Sequence, residues 1–179
     1  MKKVVVLTVL AVLGLTNVNA QKINFGIKGG LNIAQVKGLD AQGSDRITDY
    51  NFGFQVEMPI SEKFSFQPEL LYSGQGSSIN LNYLNMPLMG KYYLTKGFSL
   101  EAGPQVGYLL SAKNNNTNVK SSFHKFDFGV NFGLGFKLEN GLNFGARYNL
   151  GLSDINNVDG FTCKHKNEVF QLSIGYFFF

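Results

Sequence analysis

The closing stretch of the chain alternates between large apolar residues and small or polar ones, and this alternation limits the fold more than any other feature. The apolar positions are Phe170, Leu172, Ile174, Tyr176 and Phe178. A period of two indicates a β-strand with one apolar face and one polar face. That apolar face packs on a core in a soluble protein, whereas it contacts lipid in an outer-membrane barrel. The remaining sequence has to decide between these two environments.

Seven further segments between residues 23 and 152 show the same alternation, which predicts eight strands. Short turns are predicted at 61–63, 95–97 and 139–141, and longer polar segments at 34–49, 74–78, 113–123 and 153–166. Short turns at one end and longer loops at the other are typical of outer-membrane barrels. We therefore predict an all-β fold, namely an eight-stranded antiparallel transmembrane up-and-down β-barrel with short periplasmic turns and longer extracellular loops.

The polar positions of these strands favour a membrane barrel over a soluble lipocalin-like barrel. They hold mostly Gly, Asn, Gln and Ser, whereas a face exposed to water would carry mostly charged residues and Thr. The chain has 21 Gly, 17 Phe and 8 Tyr, which suits crowded inner walls and aromatic residues at a lipid boundary. The lack of Trp counts against the membrane barrel, because Trp often contributes to those aromatic girdles. The soluble barrel therefore stays as the alternative.

The first 20 residues have the pattern of a secretory signal peptide. Two lysines precede an apolar run from Val4 to Leu15, and Val18 and Ala20 are small residues of the kind that a signal peptidase reads. The run is too short for a membrane-spanning helix, which needs about 20 apolar residues. We expect cleavage before Gln21, which leaves residues 21–179 as one outer-membrane β-barrel domain.

Charge and cysteine usage exclude several other classes of protein. The formal net charge of +4 falls to +2 when the two leader lysines are removed, and so modest a charge gives no argument for nucleic-acid binding. Cys163 is the only cysteine, so no internal disulfide can form. No apolar run after the leader is long enough for a spanning helix, so any membrane integration has to use strands.

Motifs in four of the predicted strands resemble a known family. They are Phe25 to Asn32, Gln67 to Ser73, Tyr83 to Leu88 with Lys91 and Tyr92, and Gly103 with Pro104. These motifs resemble the PorT-like outer-membrane β-barrel family of Bacteroidetes, and the resemblance covers essentially all of residues 21–179. Pro68, Pro87 and Pro104 fall in mid-strand, where a missing N–H interrupts the ladder, so we expect β-bulges at these prolines.

The resemblance implies a location in the cell outer membrane and, for most members, an unassigned activity. A few members are linked to a protein-secretion system. The implied partners are outer-membrane lipid and a protein of an envelope or secretion assembly. The barrel-insertion machinery is a further expected partner, because the aromatic final strand is the element that it would recognise.

The inward parity of the strands carries four acids and four bases. We expect a barrel-interior polar cluster of Glu57, Glu69, Lys91, Glu101, Asp127 and Arg147, with Lys28 and Lys137 on the same parity. The interior of an eight-stranded barrel is just wide enough to be filled by side chains, and unpaired buried charges are expensive. We therefore expect a paired polar core, with Glu69, Glu101 and Arg147 in one cluster. A narrow polar conduit lined by the same residues is the alternative.

No catalytic, cofactor or metal site is predicted. His124 and His165 fall at or near the outer loops, and no nucleophile motif surrounds them. Cys163 and His165 are too close in sequence for a recognised metal-binding pattern, and no second Cys supports one. The glycines follow strand parity rather than a strand-to-helix turn, so no phosphate loop is predicted.

The sequence leaves two main hypotheses about function. The first is a structural or interaction scaffold, or an accessory of envelope or secretion assemblies. The alternative is a narrow porin-like channel for small solutes, and a membrane-embedded enzyme is a weaker third. Steady conductance in bilayers would favour the channel, whereas a silent and well-folded barrel would favour the scaffold.

Overall fold

The computed structural model describes residues 23–37, 47–76, 80–114, 117–120, 123–153 and 166–178. Its strands are β1 (Asn24–Lys37), β2 (Ile47–Pro59), β3 (Phe64–Gly76), β4 (Asn80–Tyr93), β5 (Phe98–Asn114), β6 (Thr117–Asn118), β7 (Phe126–Lys137), β8 (Leu142–Gly151) and β9 (Lys166–Phe177). The predicted leader and its cleavage point before Gln21 lie outside the described residues. Within the described ranges, no helix has the length and apolar character needed to cross a membrane.

The strands close into a single antiparallel barrel. Neighbours follow the order β4-β3-β2-β1-β9-β8-β7-β5, and a further pairing of β4 with β5 closes the ring. The two-residue strand β6 pairs only with the end of β5, at Lys113 and Asn114, and is not part of the wall. The predicted eight-stranded up-and-down barrel is therefore confirmed.

The two faces of the barrel differ in the sense expected for a protein surrounded by lipid. Large apolar side chains point outwards, as shown by exposures of 66 % for Phe54 and 57 % for Leu152. Charged side chains point inwards, where Lys28 is 5 % exposed and Arg147 is 2 % exposed. A soluble barrel has the opposite arrangement, with its apolar side chains in the core. The soluble lipocalin-like alternative is therefore excluded.

Several strands extend further than the apolar alternation predicted. Residues 74–76, expected to begin a loop, continue β3 and pair with β4 as far as Gly76 and Asn80. The first and second strands likewise extend to the pairing of Ala34 with Ile47. These ends are set by backbone hydrogen bonds to a neighbouring strand, which polar residues form as well as apolar ones. The side-chain alternation therefore underestimated the length of the strands at the loop end.

The expected β-bulges at the three strand prolines are wrong. Pro68 pairs with Leu88, Pro87 with Gln105 and Pro104 with Val130, all without a change of register. Proline has no backbone N–H. In a strand that group would point at only one of the two neighbouring strands, so pairing with the other neighbour continues. The register shift that the structure does contain lies elsewhere, between Asn82 and Tyr83 in the β4–β5 ladder.

Short turns join the strands at the periplasmic end. In two of them a hydroxyl accepts a backbone hydrogen bond three residues ahead, from Phe64 N to Ser61 Oγ at 3.1 Å and from Phe98 N to Thr95 Oγ1 at 3.2 Å. The third turn contains Gly141 at a φ of 92°, a conformation that L-residues rarely adopt. These tight connections fix which strands are neighbours, and hence which inward side chains meet.

Candidate functional site

The lumen of the barrel is bridged near its middle by a direct ion pair. Arg147 lies on β8 and Glu69 on β3, and these strands are four places apart in a ring of eight, so they face each other across the lumen. Arg147 donates from both terminal nitrogens to the Glu69 carboxylate, at 2.8 and 2.7 Å. Such a bidentate pair fixes distance and orientation together. Side chains from opposite walls are therefore in contact at this level.

A second carboxylate shares the same guanidinium. Arg147 Nε donates to Glu101 Oε2 at 2.8 Å, and a terminal nitrogen lies 2.7 Å from that oxygen. Glu101 is on β5, so one arginine joins three strands of the wall. Only arginine presents a planar fork of donors that can satisfy two carboxylates in this way.

Two lysines and a glutamine complete this group, which we call the central network (Lys28, Gln67, Glu69, Lys91, Glu101 and Arg147). Lys28 Nζ lies 3.2 Å from Glu69, and Lys91 Nζ lies 3.3 Å from Glu101. Gln67 connects the two pairs, because it donates to Glu69 at 2.5 Å and accepts from Lys91 at 3.1 Å. All six residues are buried. Each charge of the central network is thus paired inside the barrel.

Glu57 belongs to a separate contact nearer the periplasmic turns. Lys137 Nζ lies 2.7 Å from Glu57 Oε2, and the Tyr93 hydroxyl donates to the same carboxylate. The Lys137 ammonium also lies 5.2 Å from the centre of the Phe177 ring. Since β7 and β2 again face each other across the ring, this contact is a second bridge across the lumen.

Asp127 lies apart from the other expected cluster residues. It is at the loop end of β7, where the Ser153 hydroxyl donates to its carboxylate at 2.6 Å. Of the six residues expected in one cluster, Glu69, Lys91, Glu101 and Arg147 are together, whereas Glu57 and Asp127 lie towards opposite ends. Alternation gives the inward face of each strand but not its height in the barrel, so sequence reasoning could not separate these levels.

An apolar cluster lies in the lumen at the loop end. Leu81, Tyr83, Leu109 and Ala112 form it, and Val119 and Phe123 pack against them. We refer to these six residues as the outer apolar cluster. Sequence reasoning missed this cluster because it expected polar and small residues on the inward face of each strand, although Tyr83 falls on that parity. The signal available in the sequence was the adjacent pair Leu109-Leu110, which breaks the period of two.

The structure describes one of the two histidines, and the cysteine is not among the described residues. His124 is exposed near the loop end, and Cys163 and His165 lie outside the described residues. In the part of the chain that the structure describes, no three His, Cys, Asp or Glu side chains come together in a group able to hold a metal ion. The chemistry available in the described lumen is therefore that of paired charges and amides.

Comparisons with known proteins agree with this architecture. A family model for the outer membrane protein beta-barrel domain matches residues 19–157. The attachment invasion locus protein Ail of Yersinia pestis is 14 % identical, with a TM-score of 0.54 over 88 % of this chain and 100 % of that one. Neisserial surface protein A is 11 % identical, with a TM-score of 0.52 over the same shares. At such identities these two likenesses show the fold alone, and no curated protein matches the sequence.

Proposed function

Because this chain belongs to the family of outer membrane protein beta-barrel domains, we propose that it serves as a structural and interaction scaffold in the outer membrane. In this role the barrel holds its outer loops at the cell surface, as an accessory of an envelope or secretion assembly. The barrel itself carries out no catalytic step. The narrow porin-like channel is the alternative that this proposal has to exclude.

The contact of Arg147 with Glu69 across the lumen is the observation that carries the proposal. A conducting pore needs a continuous hydrated path, and these side chains join opposite walls at 2.7 Å. The contact of Lys137 with Glu57 joins opposite walls again at 2.7 Å, closer to the periplasm. An ion that passed the level of Arg147 would have to separate a buried pair, and removing one partner of such a pair costs about 3–5 kcal/mol.

The more specific assignment, to the PorT-like family, rests on the sequence motifs. The motifs that resemble the PorT-like family lie mainly on β3, β4 and β5, adjacent strands of the barrel. We propose that the chain is a PorT-like barrel, exported with cleavage before Gln21 and inserted by the barrel-insertion machinery through β9. A protein of an envelope or secretion assembly is then the partner of its loops.

Complementation in a strain that lacks this chain tests the proposal. One variant replaces residues 38–46 and 154–165 by short Gly–Ser connections, and the matched variant Lys91→Gln changes the lumen only. The scaffold role predicts that the shortened loops fail to restore detergent resistance and protein secretion, whereas Lys91→Gln restores both. If the shortened loops restore both and Lys91→Gln fails, the function lies in the lumen and the scaffold proposal is wrong. Gel mobility with and without heating confirms that each variant is folded.

A further inference from the structure

The register shift in the β4–β5 ladder gives Lys120 a fixed position outside the barrel. Leu109 pairs with Tyr83 and Ser111 pairs with Asn82, so Leu110 is an extra residue without a partner on β4. The carbonyl of Leu110 accepts a hydrogen bond from Lys120 Nζ at 2.8 Å. The bulge thus supplies a backbone acceptor at the rim, and Lys120 uses it.

The segment around Lys120 spans the rim, with side chains on both sides of the wall. Val119 and Phe123 pack into the outer apolar cluster inside the barrel. The Lys120 ammonium instead lies 5.7 Å from the centre of the Tyr108 ring, and Tyr108 is on the outward face, 39 % exposed. Val119 and Phe123 are therefore anchored in the lumen, and Lys120 between them is held on the outward side of the wall, at its loop end.

An aromatic pair marks the height of this cation relative to the membrane. The outward-facing rings of Tyr108 and Phe126 meet edge to face, with centroids 5.4 Å apart. Aromatic girdles of outer-membrane barrels lie at the boundary between lipid and water. The Lys120 ammonium is beside that girdle, at the depth of the headgroups of the outer leaflet.

Two further lysines give this section of the rim a positive charge. Lys113 lies near the end of β5 and Lys125 just before β7, and both are exposed. The Lys125 carbonyl accepts a hydrogen bond from Leu109 N at 2.8 Å, which places this lysine beside the loop end of β5. The sequence from Ala102 to Phe126 contains these three lysines and His124 but no Asp or Glu. The next acid, Asp127, is inward-facing and accepts a hydrogen bond from Ser153. We refer to Tyr108, Lys113, Lys120, Lys125 and Phe126 as the basic rim.

We propose that the basic rim binds the phosphate headgroup of an anionic lipid in the outer leaflet. Ammonium groups pair with phosphate oxygens, and basic residues at a membrane surface attract anionic headgroups. The aromatic pair contacts the adjoining apolar part of the lipid, as interfacial aromatic side chains do. The proposal relies on insertion in the membrane but not on the scaffold role, because a pore with the same rim would bind the same lipid.

Native mass spectrometry of the full-length barrel, released from a neutral detergent and titrated with phosphatidic acid, tests this site. The triple variant Lys113→Gln, Lys120→Gln, Lys125→Gln is compared with the control Lys63→Gln, Lys96→Gln, which removes lysines from the periplasmic turns. The triple variant is expected to bind phosphatidic acid on the order of a hundredfold more weakly, from the attraction of about three surface lysines. The control is expected to bind like the wild type, and phosphatidylcholine is expected to bind all three equally.

Two results would overturn the proposal. One is an equal affinity of the triple variant and the control for phosphatidic acid. The other is inorganic phosphate competing with the lipid at equal concentration, which would make the rim a site for a soluble anion. Folding of each variant is checked by gel mobility before and after heating, and a folded variant that loses the lipid leaves the scaffold proposal untouched.

Discussion

At the scale of single residues, Arg147 is the side chain on which the interior depends most. Among the side chains that the structure describes, it alone contacts both Glu69 and Glu101, and it is 2 % exposed. Lys28 and Lys91 each reach one of these carboxylates, at slightly longer distances. Without the guanidinium, each buried carboxylate would keep one ammonium group, which presents a point charge rather than a fork and does not join the two carboxylates.

Arg147→Met is therefore expected to lower the free energy of unfolding by about 3–5 kcal/mol, the usual loss when one partner of a buried ion pair is removed. Urea titration of the barrel in phospholipid vesicles, followed by gel mobility without boiling, measures this change. Lys137→Met is the matched control, because the Lys137 side chain is 26 % exposed and its loss should matter less. Unchanged stability in Arg147→Met would mean that the central network does not hold the barrel together.

Two adjacent glycines offer a second test at this scale. A Cβ on Gly30 would lie 2.0 Å from the Leu172 carbonyl oxygen on β9, whereas the nearest atom to a Cβ on Gly29 is 3.7 Å away. We expect Gly30→Ala to destabilise the barrel by about 1–3 kcal/mol through overpacking, and Gly29→Ala to have little effect. The same urea titration distinguishes the two variants, and equal stabilities would contradict the close approach of β1 and β9.

At the scale of elements, β9 closes the barrel and shows how depth in the membrane sets the effect of a charge. Leu172 is near the middle of the strand, pairs with Leu31 and Ala146, and is 47 % exposed. Phe178 follows the strand at the periplasmic end and is similarly exposed. The two side chains are thus similarly exposed, but their expected surroundings differ, since the middle of the strand faces lipid tails and its periplasmic end faces the headgroups.

Leu172→Lys is therefore expected to cost about 2–4 kcal/mol, and Phe178→Lys about 0–1 kcal/mol. Refolding yields in vesicles over a series of urea concentrations give both values. The ranking reports depth, because the same residue is introduced at two outward-facing positions, one in the middle of β9 and one just beyond its end. A penalty that is equal at the two positions would show that the outward face does not meet a bilayer.

The strands also show which features of the barrel could be predicted from the sequence. The period of two gave each strand its inward and outward faces, so the barrel and the inward placement of Glu69, Glu101 and Arg147 could be predicted. Register could not, since it depends on which backbone groups pair, and this is why Glu57 and Asp127 were expected beside Arg147. The break of period at Leu109-Leu110 was the one sign of the bulge at Leu110, and the outer apolar cluster was missed together with it.

At the scale of the whole molecule, side chains meet in the lumen at three heights with different chemistry. The contact of Lys137 with Glu57 lies near the periplasm, the central network lies in the middle, and the outer apolar cluster lies at the loop end. Charged pairs join opposite walls, whereas the apolar cluster packs side chains of the neighbouring strands β4 and β5 against Val119 and Phe123. Conduction would require both ion-paired levels to open, which is why we propose a scaffold rather than a channel.

Recording from planar bilayers is the most direct test of this account. The purified full-length barrel, shown to be folded by its change in gel mobility on heating, is added to a bilayer under an applied voltage. We predict no steady single-channel current from the wild type at any voltage that the bilayer withstands. A reproducible conductance that changes with Lys91→Gln would contradict the account, because it would place a conducting path through the central network.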